Sequence, residues 1–309
     1  MRAVRLLKGL AVAVGVVYAA AQLGTSRAML DNLSNFPALF TAGFAVAALG
    51  LALLRERAWA AAAALGAALA FAPVVPWYMP PEARAEESSA PAMKLFINNV
   101  YYRNFQHKKL IRLIEEEQPD VIGLVEVTPH WQRKLRALYA KYPYHLEQPD
   151  ENYAGIGLYS RLPLSDARVL QLGDTNLPAV EATIAAPGGP VRLLIVHPTS
   201  PVTQMYFELR NRQLRELAAY VAAAPHPIVV AGDLNLTMWN RHYQPLVDVA
   251  ALHNAREGHG IGATWPAGGP LGVPIDHVLA SADVQLRNFR VLRAIGSDHR
   301  PITAEFASR

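Results

Sequence analysis

Three long runs without a charged residue dominate the first eighty positions and constrain what this chain can fold into. They cover residues 9–26, 32–54 and 58–80. A helix needs about 20 apolar residues to cross the hydrocarbon core of a bilayer. We therefore predict a membrane domain over residues 1–79 with three transmembrane helices. The first run has an alternative interpretation as a signal peptide, because a short apolar stretch follows three basic residues.

Basic residues beside these runs predict the orientation of the helices. Arg2, Arg5 and Lys8 precede the first run. Arg55 and Arg57 separate the second run from the third. Lysine and arginine mark the cytoplasmic side of a membrane protein. Three crossings then place the remainder of the chain outside the cytoplasm.

The composition after the apolar runs predicts a linker and one folded domain. Residues 80–93 are rich in Pro, Ala, Glu and Ser and have little to bury, which is typical of a linker. Residues 94–309 carry 22 Lys and Arg against 20 Asp and Glu, a formal charge of +2. A protein that binds nucleic acid mainly through phosphates is far more basic. The chain has no cysteine, so a metal would be bound by oxygen or imidazole.

Apolar runs alternate with amphipathic stretches along residues 94–309, which predicts an α/β domain with two mixed sheets face to face. The strand-like runs cover 95–98, 121–125, 156–159, 180–184, 191–196, 228–231, 275–279, 289–292 and 302–306. Helical spacing of apolar residues covers 106–117 and 205–223. A further helix is predicted to begin at Pro129, after the N-cap residue Thr128.

Polar side chains mark the ends of these strand-like runs. They are Asn98, Asn99, Glu126, His197, Asp233, Asn235, Asp276 and His277, joined by Asp298 and His299 before the last strand. A single Asn or Asp in such a place is most often a turn former. Amides, carboxylates and imidazoles at one strand end after another predict instead a site at one rim of the sheets.

The tandem of Asp298 and His299 requires a particular backbone. Neighbouring side chains on a regular strand point to opposite faces, so the pair would serve two different sites. We predict that both lie in a loop before the strand Ile302–Phe306. Pro301 favours that prediction because it restricts Arg300 to extended geometry.

The motifs at these positions resemble the endonuclease/exonuclease/phosphatase family, the metal-dependent phosphoesterases that include DNase I and sphingomyelinases. The segments that carry the resemblance are Asn99-Val100, PDVIGLVE at 119–126, LYSR at 158–161, VHPTSP at 196–201, AGDLN at 231–235, IDHVL at 275–279 and GSDHRP at 296–301. The resemblance implies a four-layer α/β sandwich of the DNase I-like type after the three transmembrane helices. With the apolar runs and ATWP at 263–266, the chain is similar to the membrane-tethered bacterial branch linked to vancomycin and teicoplanin resistance.

The resemblance also implies a metal site. Glu126 and Asp298 would be the main carboxylate ligands, with Asn99 near the ion. Oxygen ligands suit Mg²⁺ or Mn²⁺.

Catalytic roles for the other motif residues follow from the same resemblance. His299 would activate water, with Asp276 fixing its tautomer, and Asp233 is the alternative base. Asn235 and His197 would donate hydrogen bonds to phosphate oxygens, or His197 would protonate the leaving group.

These implications predict a Mg²⁺-dependent hydrolase of phosphoester or pyrophosphate bonds in the bacterial inner membrane, with an extracytoplasmic catalytic domain. The expected substrate is a phosphorylated lipid or lipid carrier such as undecaprenyl pyrophosphate. The alternatives are an extracytoplasmic DNase-like nuclease and a non-catalytic membrane scaffold.

Arg210 and Arg212 are assigned to a solvated helix face rather than to a phosphate contact. Trp239 and Trp265 are assigned to core packing or to a substrate groove.

Overall fold

The computed structural model describes residues 1–23, 26–79, 91–172, 177–224, 227–269 and 271–309. Most of the predicted linker, residues 80–90, lies outside the described residues. We call residues 1–79 the N-terminal segment and residues 91–309 the sandwich domain.

The N-terminal segment is a small bundle of apolar helices. Its elements are α1 (Arg2–Gln22), α2 (Ala28–Leu33), α3 (Pro37–Leu53) and α4 (Arg57–Phe71), followed by a 3-10 helix (Ala72–Tyr78). Small residues let the helices approach closely, since a Cβ on Gly66 would lie 2.7 Å from the Phe44 ring and one on Gly50 would lie 2.7 Å from Leu7. The bundle therefore brings α1, α3 and α4 into direct contact.

Within the described residues, two helices are long and apolar enough to cross a membrane, Arg2–Gln22 and Arg57–Tyr78. The third apolar helix, α3, has 17 residues and spans about 26 Å at about 1.5 Å per residue. The prediction of one continuous span over 32–54 is wrong at its start. Pro37 opens α3 there because proline has no amide hydrogen to continue a preceding helix. Three crossings remain a prediction.

The sandwich domain contains two six-stranded sheets. Its strands are β1 (Met93–Asn99), β2 (Val121–Val125), β3 (Tyr144–Gln148), β4 (Ile156–Ser160), β5 (Leu164–Gln171), β6 (Pro178–Ala186), β7 (Gly189–Val196), β8 (Ile228–Asp233), β9 (Leu252–Asn254), β10 (Asp276–Ser281), β11 (Val284–Val291) and β12 (Ile302–Ser308). The strand order is β11-β12-β1-β2-β4-β3 in the first sheet and β5-β6-β7-β8-β10-β9 in the second.

Helices cover the outer face of each sheet. They are α5 (His107–Glu117), α6 (Pro129–Leu135), α7 (Gln204–Ala223) and α8 (Tyr243–Val249). One apolar core lies between the sheets, a second under α7 and α8, and a third under α5 and α6. The predicted α/β fold with two facing sheets is therefore confirmed, and its layers run helix, sheet, sheet, helix. The N-cap is also confirmed, because the Thr128 hydroxyl accepts a hydrogen bond from the Trp131 amide.

Sequence patterns missed three strands and one helix. Both β3 and β5 are edge strands with mostly exposed side chains, so they have no alternation of apolar and polar residues to detect. β9 has three residues and α8 has seven, which is too short for a reliable period.

Strand direction brings the polar residues to one rim. β1 is parallel to β2, and β7 is parallel to β8. β12 runs antiparallel to β1, and β10 runs antiparallel to β8. The first residues of β10 and β12 therefore lie beside the last residues of β8 and β1. The prediction that Asp276 ends a strand is wrong, because it begins β10 and pairs in register with Asp233.

Candidate active site

Asp233 lies at the centre of the rim and is 1% exposed. The Asn99 side-chain amide donates to Asp233 Oδ2 at 3.2 Å and to Glu126 Oε1 at 2.9 Å. The imidazole Nε2 atoms of His197 and His299 each lie 3.6 Å from the same Asp233 oxygen. Side chains from three strand termini, two in the first sheet and one in the second, thus converge on the carboxylate at the end of β8.

His299 is held by a carboxylate and by its own loop. Its Nδ1 lies 2.9 Å from Asp276 Oδ2, and its backbone amide donates to Ser297 Oγ at 3.0 Å. The Ser297 hydroxyl in turn donates to the backbone oxygen of Asn99 at 2.6 Å. These bonds fix the loop against β1, so that Asp298 and His299 both reach the rim from adjacent positions. The predicted loop before the last strand is confirmed.

Glu126 and Asp298 line one cavity at the rim, with a volume of about 380 Å³. Glu126 Oε2 accepts a hydrogen bond from the Tyr102 amide at 2.9 Å. Asp298 Oδ2 accepts one from Trp265 Nε1 at 3.3 Å. Both carboxylates are half-buried and line the cavity, so the donor set is chemically suited to Mg²⁺ or Mn²⁺.

Three rim residues, Asp233, Asp276 and His299, also lie close enough to hold an ion, with potential ligand atoms within 4.8 Å of one another. The hydrogen bond between His299 and Asp276 also accounts for the short distance between these two side chains.

The backbone around Asp233 is shaped by two residues with positive φ. Gly232 has φ 145°, and a Cβ there would lie 2.0 Å from the backbone oxygen of Val196. Asn235 has φ 51°, and its amide N–H donates to Asp233 Oδ1 at 2.9 Å. Its side-chain Nδ2 donates to the Pro198 backbone oxygen at 2.9 Å. Asn235 thus lines the cavity while fixing the loop that follows β8.

Burial and the neighbouring charges separate the proton affinities of the rim groups. Burial raises the pKa of Asp233 to about 6, although His299 and His197 oppose that rise. Burial alone would lower the pKa of His299, but the carboxylates of Asp276 and Asp233 raise it to about 10. The same imidazole holds the pKa of Asp276 below its usual range despite the burial of that carboxyl. The two carboxylates beside His299 therefore favour the charged form of its imidazole.

Two of the polar residues at the strand ends point away from the rim. His277 packs on the opposite face of β10, where its Nδ1 lies 3.0 Å from Asn254 Nδ2 and its Nε2 lies 3.0 Å from the Leu236 backbone oxygen. Asn98 alternates with Asn99 along β1 and is buried. Trp265 lines the cavity, in agreement with the groove alternative. Ser297 contributes to the rim without having been assigned to it. Ser297 lies inside the GSDHRP motif, and this position could have identified it as a rim residue.

Arg210 contradicts its assignment to a solvated helix face, whereas Arg212 is exposed. The Arg210 side chain is fully buried, and its Nη2 lies 3.0 Å from Asp31 Oδ2 on α2. Its Nη1 donates to the backbone oxygen of Asn235 at 3.0 Å. A buried ion pair therefore connects the N-terminal segment to the loop after Asp233.

A second contact joins the end of the N-terminal segment to the sandwich domain. Trp239 Nε1 donates to the backbone oxygen of Pro73 at 3.1 Å. The Trp77 ring packs edge-on against Tyr243 at 6.3 Å, and its backbone oxygen accepts from the Gly260 amide at 2.7 Å. Trp239 thus belongs to this contact, whereas Trp265 lines the cavity.

The model of the Endonuclease/Exonuclease/phosphatase family matches residues 99–299. The chain belongs to this family. The match includes every rim residue described above, from Asn99 to His299, whereas β12 and the part of β1 before Asn99 lie outside it. The activities in the family's name all cleave phosphoester bonds, so membership supports a hydrolase of that type. No curated protein matches the chain.

Solved structures share the fold at low sequence identity. TDP2 from D. rerio, complexed with single-strand DNA product, is 20% identical with a TM-score of 0.60, covering 70% of this chain and 99% of that one. The human nocturnin catalytic domain with bound sulfate is 18% identical with a TM-score of 0.55, covering 71% and 96%. Sphingomyelinase C from Streptomyces griseocarneus is 16% identical with a TM-score of 0.52, covering 70% and 99%. The DNase I-like two-sheet fold is thus common to all three.

Proposed function

We propose that the chain is a membrane-anchored, extracytoplasmic, metal-dependent hydrolase of the phosphoester or pyrophosphate group of a lipid, such as undecaprenyl pyrophosphate. The observation that carries the lipid assignment is the buried contact of Arg210 with Asp31 and Asn235. This contact supports the assignment because it holds the rim beside the end of α1 and the start of α3, and the concentrated phosphate esters beside a membrane are lipid head groups. The similarity of the motifs to the glycopeptide-resistance branch points to the same substrates.

In this proposal Glu126 and Asp298 hold Mg²⁺ or Mn²⁺, with Asn99 beside the ion. A divalent ion at this position supplies a Lewis acid for a phosphoryl oxygen. The Asn99 amide bridges Glu126 and Asp233, so it fixes the spacing between the metal carboxylate and the central carboxylate.

We assign the proton-accepting role to Asp233 and electrostatic stabilisation of the phosphate to His299. Asp276 accepts the Nδ1 proton of His299, which leaves Nε2 facing the rim. Asp233 Oδ2 is the oxygen on which Asn99, His197 and His299 converge. Burial raises the pKa of Asp233, so this carboxylate can take the proton of an attacking water. This reverses the order of preference expected from the motifs.

Replacing Glu126 with Gln tests the metal assignment without measuring activity. The variant keeps a side chain of the same shape but loses a negative charge at the ion. We expect the dissociation constant for Mn²⁺, measured by electron paramagnetic resonance on the purified full chain, to rise by at least about tenfold. Glu115→Gln, on the exposed face of α5, is the matched control and should bind Mn²⁺ as the wild type does. Equal affinity in both variants would remove Glu126 from the metal site.

A substrate panel tests the function. The purified full chain in detergent, with Mg²⁺, is given undecaprenyl pyrophosphate, sphingomyelin or supercoiled plasmid DNA. We expect release of phosphate from the lipid pyrophosphate and its loss in chelator. Plasmid nicking without lipid turnover would favour the nuclease alternative, which the charge of +2 over residues 94–309 disfavours. Absence of turnover with all three, from a folded protein, would favour a scaffold.

A further inference from the structure

The cavity at the rim has one wall that comes from outside the family domain. Its lining includes Glu126 and Asp298. Asn32 near the end of α2, and Asn35 and Phe36 in the connection between α2 and α3, line the same cavity. This connection lies outside residues 99–299, which the family model matches. The site is therefore completed by the N-terminal segment.

Hydrogen bonds hold this connection in place. Asn35 is 7% exposed, and its Oδ1 accepts from the Thr237 amide at 3.1 Å and from the Thr237 hydroxyl at 2.9 Å. Asn32 Nδ2 donates to the backbone oxygen of Pro201 at 2.9 Å. Phe36 directly follows Asn35, so its backbone is held beside the rim, and its half-buried side chain lines the cavity.

Apolar side chains also line the cavity. They include Phe36, Val202 and Ile275. Val202 is 73% exposed and Met205, at the start of α7, is 60% exposed. Exposed apolar side chains beside apolar helices favour contact with an apolar chain rather than with water. The cavity lining thus combines acids and imidazoles with apolar side chains.

We propose that the α2–α3 connection selects the substrate, with Phe36 contacting the first carbons of an apolar chain whose phosphate lies at the rim. The inference rests on the proposed hydrolase function and specifies its substrate class as an amphiphilic phosphoester. A water-soluble phosphoester has no apolar chain to contact Phe36. Contacts with an apolar wall discriminate between ligands by their buried apolar area.

Two prenyl pyrophosphates that share one head group test this selection. Isopentenyl pyrophosphate has five carbons and farnesyl pyrophosphate has fifteen. We measure kcat/KM for each with the full chain, Mg²⁺ and one fixed detergent concentration. The wild type should prefer the longer substrate. Phe36→Ala should lower kcat/KM for farnesyl pyrophosphate by about tenfold, a range typical of lost apolar contacts, and change the value for isopentenyl pyrophosphate by less than about twofold.

Phe71→Ala is the matched control, because Phe71 is 43% exposed at the end of α4 and does not line the cavity. It should keep the wild-type ratio, and Phe36→Leu should give an intermediate ratio if Phe36→Ala reduces the yield of folded protein. If Phe36→Ala leaves the ratio of kcat/KM for farnesyl pyrophosphate to kcat/KM for isopentenyl pyrophosphate unchanged, the role of Phe36 is overturned. The proposed function would still stand. A folded wild type that hydrolyses neither substrate overturns the proposed function and this inference with it.

Discussion

Asp233→Asn is expected to lower kcat for phosphoester hydrolysis by about 10²- to 10⁴-fold, the range for removal of a general base. The replacement keeps the oxygen that accepts the Asn235 amide, so the loop after β8 stays in place. It replaces the other oxygen with a donor that faces the Asn99 amide and two imidazoles. The measurement is the initial rate of phosphate release at saturating substrate.

The matched control for this variant is Asp248→Asn, since Asp248 is exposed on α8. It should keep the wild-type kcat. Far-ultraviolet circular dichroism should be the same for both variants. A fall of less than about tenfold in Asp233→Asn would contradict its assignment as the proton acceptor and return that role to His299.

Asp31→Asn is expected to have the second largest effect, which is a loss of stability at the contact between the N-terminal segment and the sandwich domain. Asp31 accepts hydrogen bonds from Arg210 Nη2 at 3.0 Å, Asn240 Nδ2 at 2.9 Å and Arg241 Nε at 3.2 Å. Asp31 and Arg210 have side chains with no exposure, so the variant leaves a buried guanidinium without its counter-ion. Breaking such a pair costs about 3–5 kcal/mol.

Hydrogen exchange on the full chain measures this cost. Amide protection should fall over residues 234–240, because Arg210 also holds the Asn235 backbone oxygen. Asp283→Asn, an exposed acid in the turn before β11, should leave protection unchanged. The double variant Asp31→Leu with Arg210→Met removes both charges and should recover much of the protection. No loss of protection in Asp31→Asn would contradict the structural role of the pair.

The sandwich domain could be predicted from its sequence because most of its strands are buried. Runs such as Val121–Val125 and Ile228–Asp233 have no exposed residue, and each ends at a rim group, Glu126 or Asp233 itself. The edge strand Leu164–Gln171 is almost entirely exposed and carries no such pattern. Burial, rather than strand propensity, thus decided which strands the sequence revealed.

The rim residues could be predicted for a related reason. Each stands where a strand begins or ends, and parallel pairing brings those ends together whatever the intervening length. The face of the sheet to which a side chain points depends on the strand register. A sequence pattern alone does not determine that register. For this reason Asn98 and His277 were grouped with the rim although they pack on the opposite faces of β1 and β10.

The contact between the N-terminal segment and the site could not be predicted. Asp31 and Arg210 are separated by 179 positions, and each alone is typical of an exposed residue near a helix. Residues 80–93 were interpreted as a linker from composition, which carries no information about docking on either side. The wall formed by Asn35 and Phe36 depends on a tertiary contact with Thr237.

Phosphate release from undecaprenyl pyrophosphate by the full chain in proteoliposomes, with Mg²⁺, tests the central claim most directly. Asp233→Asn in the same vesicles serves as the blank. We predict multiple turnovers in the wild type that stop when a chelator is added. A wild-type rate equal to that of the Asp233→Asn blank, in a preparation that nicks plasmid DNA, would contradict the account.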